Sequence, residues 1–564
     1  MKILRIKLAD DMKNSFRSIP PGFEISFCPD LESAALEPVG LAGLNGSGKS
    51  NLLELLSEIF YHLDSLQMDF SRKAIRLEKG IGFEIDYAMP LTNDNISVAL
   101  NNNEISSNDR YFIVRIIQKI DDEPIYKISS KNEYCAEMNA AKHQRISNRN
   151  INIWKEVDDN TKYLLPRKVF AYTSGHNELL SNAYYKIQFH YFNEYRDSIK
   201  SSNKFYIDSS RLFFSDNLSN ASVFVSNYLL GDQGRLAVLN DIVKIEKLHS
   251  FRITIRFASH KGKEIQLNHD LETRIDKLKR CATTWFETGE GARKILTLDY
   301  LVQEATKDAF RKNFGAPFDL YNTFYELEML NFHAIPTDII EMVTNGPKWL
   351  NISDELPKSD PSNLLFRIEH VKVCKEDIPE PIYYKGLSDG EHQFLQIVGM
   401  VMMMEESGCL FLFDEPDTHY NPLWRSKLVN TINKVASYNT ANINEKTRLQ
   451  EIVITTHSPF VLSDMRKRNV FVFAKTGNEL KYTECPIETY GASASIILDA
   501  IFGKEDTISE KAKDELDELF KDIKNMNDIR RVVDQLNTRF GDSVEKLDKF
   551  NYLNKLKRKF EQVS

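Results

Sequence analysis

Along this chain, short wholly apolar runs alternate with stretches whose apolar residues recur at strand or helix spacing. Ile3 to Leu8 and Phe23 to Phe27 read as strands. Val39 to Ala42 is a short apolar strand entering a glycine-rich loop. A helix is expected from Ser50, because Leu52, Leu53, Leu55, Leu56, Ile59 and Phe60 give it one broad apolar face. Gly82 to Tyr87 and Tyr111 to Ile117 alternate and predict antiparallel strands flanking polar, Asn-rich loops. Val169 to Tyr172 predicts another strand, ending in the turn Thr173-Ser174-Gly175-His176-Asn177.

The pattern then divides the rest of the chain. Residues 1–175 read as an N-terminal lobe with an antiparallel β-subdomain, and 176–380 as a mostly helical insertion broken by one alternating strand, His249 to Phe257. No long heptads occur there, so a coiled-coil arm is not expected. Residues 381–503 return to α/β character, and 504–564 predict a helical tail. In that tail Thr507-x-x-Glu510 fits a capping box, followed by Leu516, Leu519, Phe520 and Ile523 at helical spacing.

Composition narrows the class. A chain of 564 residues is too long for one ordinary domain, and 42% hydrophobic with 27% charged residues is a globular balance. No apolar run approaches the roughly 18–20 residues that cross a bilayer. The N-terminus reads directly as a strand without a signal-peptide core, so a cytoplasmic protein with no membrane partner is expected. Six cysteines (Cys28, Cys135, Cys281, Cys374, Cys409, Cys485) are scattered without a C-x-x-C pair, which excludes the common zinc spacings and gives no disulfide framework. The net charge of −8 argues against a wholly basic surface but leaves room for a local basic groove.

The chemistry concentrates in four stretches. Gly43-Leu44-Asn45-Gly46-Ser47-Gly48-Lys49-Ser50 fits G-x-x-x-x-G-K-[ST] between a strand and a helix, the context that motif requires. Glycines let successive N–H groups turn inward toward phosphate oxygens, and the helix start adds partial positive charge. Asn45 to Asn51 are therefore candidate ATP contacts, with Lys49 on the β- and γ-phosphates and the Ser50 hydroxyl on Mg2+. Cys409 to Phe413 is an uninterrupted apolar strand, as in a sheet buried on both faces, and it ends in Asp414 and Glu415. Asp414 suits Mg2+, held through water, while Glu415 is placed to orient and deprotonate an attacking water.

Leu387-Ser388-x-Gly390-Glu391 resembles the signature of the ABC ATPases, with Asp389 at the usual middle glycine. Glu451 to His457 resembles their switch strand, and Pro416-Asp417-Thr418-His419 their D-loop. The resemblance implies that Ser388, Gly390 and Glu391 meet the γ-phosphate. It implies that His457 senses that phosphate, and that Asp417 couples two sites across a homodimer with two ATP molecules between head-to-tail subunits. The implied fold is α/β: an ABC-type P-loop ATPase head, a mixed sheet with an antiparallel β-subdomain, carrying a large helical insertion and a helical C-terminal tail. The Q-loop position falls to Asn177 or Gln118, and Asn14-Ser15-Phe16-Arg17 resembles an N-F-R element that brings Arg17 near the base.

Within that family the chain lacks the coiled coils of condensation ATPases. It also lacks the glutamate and D-x-D set that OLD-like nucleases carry after the switch strand, so no nuclease site of its own is expected. Gly491-Ala492-Ser493, the helical tail and the length resemble the ATPase subunit of Septu systems of anti-phage defence, including the retron-linked form. That likeness implies an HNH endonuclease partner. The alternative is a RecF-like DNA-binding clamp of repair or replication. DNA or retron nucleic acid is a further candidate partner, for Lys244, Lys247, Arg252, Arg256, Lys261 and Lys263 cluster around strand 249–257. The stretch Lys546 to Lys559, with Leu547, Phe550, Leu553, Leu556 and Phe560, reads either as a docking helix or as a helix packed on its own domain.

Overall fold

In the computed structural model the apolar run Cys409–Asp414 (β15) is a central strand, and each of its residues is buried. The structure describes all residues except 28, 30, 32–35, 68–80, 101, 103, 143–152, 175–177, 202–209, 217–218, 260, 337, 341–351, 353–355, 357–362, 438–448, 478, 505, 522 and 564. A strand apolar on both sides needs cover on both faces and hydrogen-bonded neighbours on both edges. It pairs in parallel with Lys168–Thr173 (β8) and Glu451–Thr455 (β16). Val39–Gly43 (β3), Leu212–Ser215 (β9), Val470–Thr476 (β17) and Glu479–Glu484 (β18) complete a seven-stranded sheet in the order β18-β17-β3-β16-β15-β8-β9. Only the β17–β18 pair is antiparallel, so the sheet is mixed.

A six-stranded antiparallel sheet, β2-β1-β4-β5-β6-β7, comprises Lys2–Leu8 (β1), Glu24–Ser26 (β2), Phe83–Pro90 (β4), Tyr111–Gln118 (β5), Ile125–Ser129 (β6) and Lys155–Val157 (β7). Between the two sheets runs the helix Lys49–Gln67. It is buried from Leu52 to Ser65, touches β3, β15 and β16, and sets Phe60 edge-on to Tyr87 of β4. Its broad apolar face is thus explained: it serves two layers at once.

The segment 176–380 differs from the mostly helical expectation. Besides its helices it holds Ile245–Arg256 (β10), Thr284–Thr288 (β11), Ile295–Leu301 (β12) and Phe366–Lys375 (β13), which with Ile378–Tyr383 (β14) form a five-stranded antiparallel sheet ordered β11-β12-β10-β13-β14. Leu296, Leu298 and Tyr300 share one buried face of β12, with Thr297 and Asp299 on the other, a two-residue period over only seven positions. Set among helices, so brief a signal is easily read as irregular.

The tail is helical over Ala494–Phe502, Glu510–Glu518, Met526–Arg539 and Val544–Val563. Leu516, Ile529, Val532, Leu536 and Leu553 form a small core of its own, against which Leu519, Phe520, Ile523, Phe550 and Leu556 pack. The expected Thr507–Glu510 capping box is replaced: Ser509 is the N-cap residue, and the Thr507 hydroxyl donates instead to Glu545 at 2.9 Å. Among the described residues no helix is long and apolar enough to cross a membrane.

Candidate functional site

Three parallel strands, β3, β15 and β16, end at the same edge, and their end residues meet there. The loop after β3 must bend sharply into the helix at Lys49. Gly48 has φ +89°, and a Cβ there would stand 2.6 Å from the Ser18 hydroxyl, so only glycine fits. Leu44, Asn45 and Gly46 are exposed, Ser47 is buried, and the Asn51 side chain leaves the loop to donate to Ser18 Oγ at 2.7 Å. Lys49 is folded back over its own loop. Its ammonium donates to the carbonyls of Gly43 (3.1 Å) and Leu44 (3.2 Å) and lies 3.0 Å from His457 Nε2. Burial pushes this ammonium down to about 8 against the pull of Glu415 and Asp414.

The two carboxylates are treated differently. Asp414 is buried and accepts from Ser50 Oγ at 2.8 Å and Thr455 Oγ1 at 2.5 Å, both on Oδ1. Burial raises its pKa, and those two hydroxyls pull the other way. Glu415 is a non-glycine residue at φ 48°, a left-handed backbone that costs about 1 kcal/mol or more and persists only where surroundings enforce it. Here the enforcing contact is its N–H, which donates to Thr455 Oγ1 at 2.9 Å. Its carboxylate lies 3.1 Å from His457 Nε2, and a hydrogen bond from that ring holds it below the usual carboxylate range. One ring nitrogen cannot donate to Glu415 and accept from Lys49 at the same time. An ionised Glu415 can only accept and the Lys49 ammonium only donate, so the ring serves one of them at a time, and Lys49 has its loop carbonyls besides.

Asp417 lies behind this cluster. It is buried, accepts from Thr456 Oγ1 at 3.0 Å and has Arg425 at 3.6 Å; burial raises its pKa. Sequence reasoning did not single out Thr455 and Thr456, although both immediately precede His457. Being adjacent on or just past a strand, they point to opposite sides, one to the Asp414–Glu415 pair and one to Asp417.

Ser388, Gly390 and Glu391 stand apart from the other candidates. Ser388 is the exposed N-cap of the helix Asp389–Met403, in a reciprocal box: its hydroxyl donates to Glu391 Oε2 at 2.9 Å and accepts from the Glu391 N–H at 3.3 Å. The other Glu391 oxygen takes an ion pair from Lys375 of β13. Burial would raise this carboxyl, but Lys375 and Ser388 bring it below its ordinary value. Gly390 lets the helix start lie against the D-loop, since a Cβ would come within 2.8 Å of the His419 carbonyl. One turn on, Gln393 accepts from the His419 N–H at 3.1 Å and donates to the Tyr172 hydroxyl at 3.1 Å. Within one chain, then, the Ser388 hydroxyl is engaged by Glu391, and this packing links its helix to β8 and the loop after β15.

Of the weaker candidates, Asn177 lies outside the described residues. Gln118 ends β5 opposite Phe83 in the antiparallel sheet, with its side-chain carbonyl buried and without a hydrogen-bond partner among the described residues. Arg17 takes φ 54° and forms a bidentate pair with Glu54 of the P-loop helix at 2.8 and 3.1 Å, so its guanidinium is committed close to the loop. Arg252 of the basic strand is held by Asp299 at 2.7 and 2.9 Å, which cancels much of the charge offered to phosphate.

The donor set fits a nucleotide with a hard cation. A hydroxyl and a carboxylate converge at Ser50 and Asp414, oxygen ligands of the kind Mg2+ takes, beside the buried Lys49 ammonium. Residues 287–463 match the family model described as AAA domain, putative AbiEii toxin, Type IV TA system. That stretch, about a third of the chain, spans the signature, the acidic strand end and His457 and leaves out the P-loop. Among solved structures, the SMC head domain from Thermotoga maritima aligns over 86% of this chain and 100% of that one, at 10% identity and a TM-score of 0.28, a likeness too slight to carry weight. The converging loops and the match over residues 287–463 agree with a P-loop type of nucleotide site on a mixed α/β fold.

Proposed function

We propose that the chain binds ATP with Mg2+ and hydrolyses it, two copies closing head to tail so that Ser388 of each completes the nucleotide site of the other. The observation that carries this reading is the meeting of two linked groups at the ends of β3, β15 and β16: Lys49 and Glu415 lie 3.0 and 3.1 Å from His457 Nε2, Ser50 donates to Asp414 at 2.8 Å, and Thr455 joins Asp414 to Glu415. Lys49 exchanges the Gly43 and Leu44 carbonyls for phosphate oxygens. Ser50 and Asp414 would hold the metal, which when bound offsets phosphate charge. Glu415 orients water and accepts its proton as the oxygen attacks the γ-phosphorus and the bond to the β–γ bridging oxygen breaks, ADP taking that oxygen and its electron pair, and His457 keeps that carboxylate aimed and ionised. The Ser388 hydroxyl leaves Glu391 for a γ-phosphate oxygen of the opposing copy, with the helix start behind it.

The wider role proposed is gating of an associated HNH endonuclease in anti-phage defence. It rests on the Septu-like features of the sequence. The RecF-like clamp is the weaker reading, because Arg252 is already engaged by Asp299. Phosphate release from the wild type, measured beside Glu415→Gln and Lys49→Ala, tests the ATPase; equal rates in all three would end the proposal. Co-purification with an HNH-bearing genomic neighbour, with and without ATP, tests the partner.

A further inference from the structure

The two edges of the five-stranded sheet are finished in different ways. β14 carries Pro379 and Pro381, which lack the N–H that a neighbouring strand would need, so that edge is closed to pairing. β11 at the other edge, Thr284-Trp285-Phe286-Glu287-Thr288, has no proline, and all five residues are exposed. Among the described residues it pairs only with β12. Trp285 and Phe286 leave 47% and 45% of their surface to solvent, an unusual cost for an unprotected edge.

Charge around this edge is already matched internally. Glu287 pairs with Lys279 at 3.1 Å and Lys294 at 2.9 Å, and Lys279 also lies 4.6 Å from the Trp285 ring centre. A partner is therefore selected by side-chain fit rather than by excess charge. The strand reads Thr-x-Phe-x-Thr in both directions. Laid antiparallel on a copy of itself about a two-fold axis at Phe286, it sets Thr284 opposite Thr288, Phe286 opposite Phe286 and Trp285 opposite Glu287. Aromatic and threonine pairs of this kind stabilise antiparallel ladders, and no like charges face each other. A parallel in-register pairing would instead stack Glu287 on Glu287.

We propose that β11 is a docking edge for a second copy of this chain, joining two five-stranded sheets into one across a two-fold axis. This contact is separate from the nucleotide-bridged pairing, which uses the ends of the seven-stranded sheet, and it forms without nucleotide.

Sedimentation velocity of the full chain without nucleotide tests it. The wild type is expected to self-associate as concentration rises. Phe286→Lys and Phe286→Glu, each placing like charges across the axis, should raise the association midpoint at least tenfold. An equimolar mixture of the two variants should regain association, because lysine then faces glutamate. Phe286 is surface-exposed, so both variants should melt like the wild type. A wild type that stays monomeric without nucleotide, a Phe286→Lys chain that associates unchanged, or a mixture that stays apart overturns the proposal.

Discussion

Two helix starts in this chain carry a serine beside acidic partners, and they are kept in opposite conditions. At Ser50 the hydroxyl is fixed on Asp414, and the neighbouring Lys49, Glu415 and His457 crowd each other in a partly buried corner whose backbone includes a strained Glu415. At Ser388 the hydroxyl is exposed and closes a capping box with Glu391, leaving its corner relaxed and fully satisfied. The first corner holds a desolvated ammonium, which a phosphate would relieve, beside a left-handed glutamate that Thr455 holds in place. The second is stable alone and gains only if something arrives from outside. Such a division suits a site assembled from one preorganised half and one half supplied by another copy.

The largest expected effect lies in the strained half. Glu415→Gln keeps the shape but removes the proton acceptor, and phosphate release should fall by about 10²–10⁴ while ATP still binds. Stopped-flow phosphate detection beside equilibrium nucleotide binding checks both parts. Lys49→Met should weaken ATP binding on the order of 100-fold, as for a lost charge-assisted contact. The same change should stabilise the ligand-free chain. With a folded pKa of about 8 against 10.5, the unfolded state binds more protons between those values, so wild-type stability rises with pH across that window. At neutral pH the buried charge costs on the order of 3 kcal/mol. Thermal melts at pH 7 and pH 10 should show the Lys49→Met advantage shrinking as pH rises; an advantage that grows would contradict the burial argument.

Smaller effects sharpen the contrast. Thr455→Val orphans the Glu415 N–H and frees Asp414 Oδ1 of one donor, at about 1–3 kcal/mol of stability, and should slow hydrolysis about tenfold without changing ATP affinity much. Denaturant titration and phosphate release read the two consequences separately. Ser388→Ala should cost about 1 kcal/mol through the lost cap. Its hydrolysis loss should appear only at concentrations where the wild type dimerises, and a loss persisting at high dilution would place Ser388 in its own chain's site.

Much of this site was legible because its chemistry sits at the ends of strands and helices whose patterns are strong. Cys409 to Asp414 could be read as a buried parallel strand from its unbroken apolar run, and its carboxylates followed. What tertiary contact alone creates was not legible. Thr455 looks like any β-branched strand residue until β16 is laid beside β15, and only that register places its hydroxyl between Asp414 and Glu415. The five-stranded sheet was obscured because helices separate β10 from β11 and β12 from β13 in sequence, and β10 looked solitary until β12 and β13 closed on it from distant positions. Thr507 had the right spacing for a cap, yet Glu545 from the last helix competed for its hydroxyl.

Completion of the phosphate site by a second copy is tested most directly by mixing two inactive chains, Lys49→Ala and Ser388→Arg. Each homodimer carries a lesion in both sites. A mixed dimer collects both lesions in one site and leaves the other intact, so the mixture should recover up to about a quarter of wild-type phosphate release. A mixture that remains as inactive as its components would mean that Lys49 and Ser388 do not meet across subunits.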